Sequence, residues 1–162
     1  MKPVVTGLFH VAIKTRDLDA TRHFWLDVLG LAEIHRPDFG YPGAWFAVPT
    51  PSGTGIIHIY AGGPALAQPN QPRTGTAVID HISLTAVGYH AFRARFSEFG
   101  YPFREFLVPG TTLYQLFVYD PNGVQLELTF DGRVEDGALP DMSPGRGYVA
   151  GQSFFVAEAP VA

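Results

Sequence analysis

The feature that most constrains this chain is that its pattern of elements runs through once and then starts again. "LFHVAIKT" alternates in polarity and is rich in branched and aromatic side chains, which marks a strand over residues 7–14. "RDLDATRHFWLDVLG" then sets Leu18, Thr21, Phe24, Trp25, Val28 and Leu29 on one helical face, with Gly30 placed to end the helix. Short strands around residues 31–36, 43–49 and 55–61 follow, separated by Pro and Gly. After the loop "GGPALAQPNQPRTG" the order repeats. "VIDHISLTAV" predicts a strand, "GYHAFRARFSEFG" a helix ending at Gly100, and further strands fall near 103–107, 113–119 and 123–130. His81 lies 71 residues after His10, and Gly100 lies 70 after Gly30. The expectation is an α+β fold of two βαβββ modules in tandem, 7–61 and 77–130, within a single domain over 1–130. Residues 131–162, rich in Gly and Pro and without a period, read as a C-terminal extension packed over a surface or edge. Within it "QSFFVAE" has the composition of one more short strand.

Alternate residues of a strand share a face, so each strand sorts into two sides. Val11 and Ile13 oppose His10, and Ile57 and Ile59 oppose His58. Ile82 and Leu84 oppose His81, while Val124, Leu126, Leu128 and Phe130 oppose Gln125, Glu127 and Thr129. A buried carboxylate without a partner costs several kcal/mol, so Glu127 must meet solvent, a cation or a metal. The repeat pairs His10 with His81 and, at an offset of 69, His58 with Glu127. If the modules pack about a pseudo-twofold axis, these side chains converge into a nitrogen and oxygen site. Such a set suits one divalent ion, Fe, Mn, Ni, Co or Zn.

Composition removes other classes. With 162 residues, 46% hydrophobic and 16% charged, the chain is long enough to bury a core. A net charge of −4 with 11 scattered Lys and Arg leaves no footprint for nucleic acid or an anionic membrane. Absence of cysteine removes thiolate chemistry and disulfides. His10 and Lys14 interrupt the N-terminal apolar run, no cleavage site follows, and no stretch is long enough for a bilayer. The expected setting is cytoplasmic and the expected partner a small molecule.

The segments "FHVAIKTRDLDATRHFWLDVLGL", "IIHIY", "DHISL", "YPFRE" and "LFVYDPNGVQLEL", in this order, resemble the vicinal oxygen chelate superfamily. That group contains glyoxalase I, methylmalonyl-CoA epimerase, extradiol dioxygenases and the fosfomycin and bleomycin resistance proteins. The resemblance covers about residues 7–130. It implies paired modules forming a curved mixed sheet around a metal, a homodimer, and His10, His81 and Glu127 at ligand positions. His58 falls where glyoxalase I places a fourth, carboxylate ligand and the epimerase a glutamine, a departure from both. The extradiol enzymes usually carry a tyrosine where this chain has Phe117 and a further histidine upstream, and no histidine follows His90.

Each singled-out residue also has a plainer reading. His10, His81 and Glu127 are either ligands or satisfied polar residues of a metal-free relative, and His58 is a ligand, a base or structural. Tyr60, Gln115, Phe117 and Tyr119 share the ligands' side and line a substrate pocket or fill a core. Arg104 meets an anionic substrate or pairs with Glu105 or Glu98; His23, His35 and His90 read as solvated or capping residues. The leading expectation is a metal-dependent lyase or isomerase of glyoxalase type. Its metal would bind vicinal oxygens and stabilise an enediolate or oxyanion, with Glu127 or His58 moving the proton. The alternatives are an Fe(II) extradiol dioxygenase and a non-catalytic protein that sequesters a drug or metabolite.

Overall fold

The computed structural model describes residues 8–50, 53–65, 75 and 79–156. The chain divides into two compact units, Met1–Arg73 and Thr74–Ala162, each holding one copy of the repeated module. Among the described residues, no helix is long and apolar enough to cross a membrane.

In the first unit, β1 (His10–Lys14), β2 (Ala32–Ile34), β3 (Gly43–Thr50) and β4 (Gly53–Tyr60) form a four-stranded mixed sheet in the order β1-β4-β3-β2. β1 runs parallel to β4, and the other neighbours are antiparallel. Between β1 and β2, α1 (Leu18–His23) starts at Asp17, whose carboxylate accepts the Ala20 N–H at 2.9 Å. The expected single amphipathic helix instead widens into a π turn over Phe24–Val28, where Leu29 N–H reaches Phe24 O. The turn keeps Phe24, Trp25 and Val28 fully buried, and the Trp25 ring stacks on Phe46 of β3 at 6.1 Å. Gly30 ends the segment with a φ of 75°, a conformation that favours glycine.

The second unit repeats the plan. β5 (Ile82–Thr85), α2 (Tyr89–Glu98), β6 (Phe103–Leu107), β7 (Leu113–Tyr119) and β8 (Gln125–Asp131) build a sheet in the order β5-β8-β7-β6. Again the first strand is parallel to the last and the rest antiparallel. The core of each unit is the aliphatic face read from the alternation. Ile13, Ile57 and Ile59 are buried in the first, and Leu126, Leu128 and Phe130 in the second. Each such side chain contributes about 1.5–3 kcal/mol.

The segment after β8 folds back onto its own unit. Glu135 accepts the N–H groups of Gly88 and Tyr89, both at 2.8 Å, and so supplies the cap that Gly88 lacks at the start of α2. Glu105 of β6 is fully buried and gathers the partners that hold the segment. Its carboxylate takes the Tyr89 hydroxyl at 2.5 Å, Asp141 N–H at 3.0 Å, and the guanidinium groups of Arg93 and Arg146 at 3.1 and 3.2 Å. The backbone of Glu105 also bonds Arg146 O and Tyr148 N–H. Residues 152–156 form no strand, and the end of the expected "QSFFVAE" strand lies outside the described residues.

Candidate functional site

The register places the candidate residues on the polar face of each sheet. In the first unit Ala12 of β1 pairs with His58 of β4, which in turn pairs with Trp45 of β3. Paired residues share a face, so His10, two residues before Ala12, lies on the same side as His58. Their ring centroids are 6.0 Å apart at 74°. In the second unit Ser83 pairs with Glu127, which pairs with Phe117. Ala12 and Ser83 therefore occupy equivalent positions, as do His58 and Glu127.

His58 is 5% exposed, yet its Nε2 meets no hydrogen-bond partner among the described residues. Aromatic rings surround it, with Tyr60 at 4.2 Å, Trp45 at 5.3 Å and Phe39 at 5.8 Å between centroids. Burial, then the nearby Arg36 guanidinium, then His10 push its pKa below the ordinary 6.5, so the ring is held neutral. A buried neutral imidazole with a free nitrogen is suited both to ligation and to accepting a proton.

In the second unit Glu127 is 7% exposed. Its Oε1 accepts the hydroxyls of Ser83 at 2.5 Å and Thr129 at 2.7 Å. Its Oε2 faces His81 Nε2 at 3.4 Å. That gap exceeds the ordinary N–H···O range of about 2.7–3.2 Å and matches the spacing of two ligands on one tetrahedral ion with bonds of ~2.1 Å, roughly 3.4 Å. The other His81 nitrogen, Nδ1, sits 2.7 Å from Asp80 Oδ1. A carboxylate behind a histidine fixes the ring and raises its basicity, a common arrangement behind metal-bound imidazoles.

A cleft of about 300 Å³ opens beside this pair, lined by His81, Glu127, Phe106, Gln115, Phe117 and Tyr148 among others. Tyr148 stacks flat on Phe117 at 3.6 Å and 8°, and its hydroxyl lies 3.4 Å from Asp80. Of the pocket residues read from the sequence, Gln115 and Phe117 line this cleft. Tyr119 borders a neighbouring opening of about 350 Å³ and donates its hydroxyl to Gln125 at 2.6 Å. Tyr60 belongs to the first unit, against His58. Arg104 lies over the Phe154 ring at 4.7 Å, while Glu105, one of its expected ion-pair partners, is held by Arg93 and Arg146. His23 pairs with the exposed Asp27 at 2.8 Å.

Asp80, Ser83, Arg36 and Tyr148 escaped the sequence reading. Asp80 precedes its histidine directly, and Ser83 shares the polar face of "DHISLT", so both left a signal. Arg36, at the end of the expected strand 31–36 but beyond β2, and Tyr148, in an aperiodic segment, left none.

Within either unit, no three His, Cys, Asp or Glu side chains among the described residues gather into a metal-binding group. Each unit holds two side chains of a kind that divalent ions take, His10 and His58 in the first, where His58 Nε2 has no partner among the described residues, and His81 and Glu127 in the second, where the histidine-carboxylate gap is of ligand width.

A sequence model of the Glyoxalase/Bleomycin resistance protein/Dioxygenase superfamily matches residues 7–128. Glyoxylase I 4 of Arabidopsis thaliana is 30% identical over 131 residues, 76% of this chain and 70% of that protein. Among solved structures, lactoylglutathione lyase from Agrobacterium tumefaciens superposes with a TM-score of 0.58 at 19% identity, covering 83% of this chain and 100% of that one. An antibiotic binding protein from Streptomyces sp. CB03234 gives 0.57 at 15%, covering 80% and 99%. These structural likenesses carry the fold.

Proposed function

The chain belongs to the Glyoxalase/Bleomycin resistance protein/Dioxygenase superfamily, and from that premise we propose that it is a metal-dependent lyase or isomerase of glyoxalase type. The observation that carries the reading is Glu127, a buried carboxylate whose Oε1 is occupied by two hydroxyls while Oε2 faces His81 Nε2 at 3.4 Å. His81 and Glu127 are the second module's ligands to a divalent ion; in the first module His10 is the candidate donor and His58 the base. When bound, the ion supplies a Lewis acid for two neighbouring oxygens of a small substrate.

The chain's own residues do the rest. Ser83 and Thr129 hold Glu127 so that one oxygen stays directed at His81. Asp80 holds His81 through Nδ1, leaving Nε2 to ligate. His58, kept neutral by burial, has an unpartnered Nε2 with which to take a proton from substrate carbon. Phe117 and Tyr148 wall the cleft with flat apolar surface that favours a ring or acyl group over a sugar. We further take the enzyme to be a homodimer, supported by Leu8 and Phe9, which expose 80% and 69% of their surface beside the edge strand β1.

The test is elemental analysis together with turnover of a panel of 2-hydroxy ketones, thiol adducts of 2-oxoaldehydes, and catechols. The reading expects one divalent ion per chain and turnover abolished by a chelator and regained with metal. Full turnover in metal-stripped protein overturns it, as does tight ligand binding with no turnover that a chelator leaves unchanged. Oxygen uptake with catechol alone would move the chain to the dioxygenase reading.

A further inference from the structure

The loop after β2, "HRPDFGY", carries a guanidinium whose carboxylate-binding edge is buried and meets no acceptor among the described residues. Arg36 spends Nη1 on the backbone, donating to Tyr41 O at 3.2 Å and Pro37 O at 3.5 Å. Its Nε and Nη2 are both buried and meet no hydrogen-bond partner among the described residues. These two atoms form the side-on fork that grips a carboxylate. The same chain uses that fork twice elsewhere, Arg22 on Glu33 and Arg133 on Asp131. The acidic residue nearest in sequence, Asp38, is turned to the loop backbone, where its Oδ1 accepts Gly40 N–H at 2.7 Å.

The guanidinium is held in place. It lies 4.7 Å from the Phe39 ring centre and 4.8 Å from that of Tyr41. It also lies across Gly43, where a Cβ would come within 3.1 Å of Nε. Two further polar atoms beside it lack partners, Trp45 Nε1–H and His58 Nε2. Phe39 touches all three residues, at 4.7 Å from Arg36, 6.0 Å from Trp45 and 5.8 Å from His58. Four unsatisfied polar atoms around one ring, three of them donors and one donor pair cationic, are an arrangement that leaves a desolvated charge uncompensated unless an anion completes it. Phe39 itself is 45% exposed and sits on a loop, so it is the outer cover of the cluster.

We propose that Arg36 and Trp45 form a carboxylate-binding subsite in the first unit, beside His58, which takes a small monocarboxylate with a flat or apolar body. The fork of Arg36 receives both carboxylate oxygens, Trp45 Nε1–H donates a third bond, and the rings of Tyr41, Tyr60 and Trp45 enclose the body. A tetrahedral phosphate matches the planar fork but not the close aromatic walls. The subsite lies in the first unit alone and needs no metal, so it stands or falls apart from the catalytic reading above.

The experiment uses the full chain in excess chelator, titrated with benzoate, benzyl alcohol and inorganic phosphate. Binding is followed by tryptophan fluorescence and by the ¹H–¹⁵N signal of the arginine Nε–H groups. Benzoate should bind saturably and shift one Nε–H signal that Arg36→Gln removes, with benzyl alcohol and phosphate at least ten-fold weaker. Arg36→Gln should lose ten-fold or more in benzoate affinity. Arg36→Lys, which keeps the charge but not the fork, should lose nearly as much, and it serves alone if the Gln variant does not fold. Equal benzoate binding by wild type and Arg36→Lys overturns the proposal. So does benzyl alcohol binding as well as benzoate, or a crystal soaked in benzoate with only water on Arg36.

Discussion

The Ser83 hydroxyl on β5 donates to Glu127 Oε1 on β8 at 2.5 Å, across a pair of residues directly opposite each other in the parallel ladder. The bond reaches across 44 residues of sequence and is made by an exposed side chain on the polar face of the sheet. Its effect is to fix which oxygen of the carboxylate remains for His81.

Ser83→Ala should therefore free the carboxylate to rotate while leaving the fold intact. Losing an outer hydrogen bond to a metal ligand typically lowers affinity by about 10–100-fold. Competition titration with a chromophoric chelator measures this, and the thermal midpoint should move little, since Thr129 still donates to Oε1 at 2.7 Å.

Stability of the metal-free protein should depend on His58. Its folded pKa lies below the ordinary 6.5, because burial, Arg36 and the facing His10 all disfavour the charged ring. The unfolded chain then takes up the proton first, so stability is fully present above about 6.5 and is lost as pH falls toward the folded value. Urea unfolding between about pH 7 and about pH 5 should show that loss, and His58→Gln should flatten it. An unchanged slope in the variant would assign the dependence to other groups.

Glu105→Ala should release the segment that brings Tyr148 over Phe117. The carboxylate is fully buried and its removal strands Arg93 and Arg146, a change that typically costs about 3–5 kcal/mol for a buried pair, less here because both arginines are partly exposed. The checks are the denaturant midpoint and hydrogen exchange of residues 139–148, which should lose protection together. Protection retained there would mean that other contacts hold the segment.

Much of the fold was legible because it is written in two simple periods. Alternation set Ile57 and Ile59 against His58, and Leu126 and Leu128 against Glu127, and in each case the aliphatic pair is the buried core. The repeat offset put His58 and Glu127 at equivalent registers, which the pairing of Ala12 with His58 and Ser83 with Glu127 reproduces. The π turn at Phe24–Val28 was not legible, since the apolar spacing is compatible with an α-helix and the widening answers to packing of Phe24 and Trp25. Arg36 and Tyr148 were not legible either. Both lie outside the strands of the structure, and their positions are set by side-chain and loop contacts rather than by alternation, Phe39 and Gly43 for one, Glu105 and Phe117 for the other. Arg104, singled out for its charge, lies over the Phe154 ring, a contact that its charge alone did not signal.

The central claim is that Glu127 is buried because it ligates a divalent ion, and the most direct measurement is the metal content and affinity of wild type against Glu127→Gln. Glutamine keeps the shape and the hydroxyl contacts but removes the charge that a divalent ion needs. The account predicts one ion per wild-type chain, an affinity at least ~100-fold lower in the variant, and an unchanged circular dichroism spectrum. Equal metal content in the two proteins, or no metal in either after exposure to Fe, Mn, Ni, Co and Zn, would contradict it.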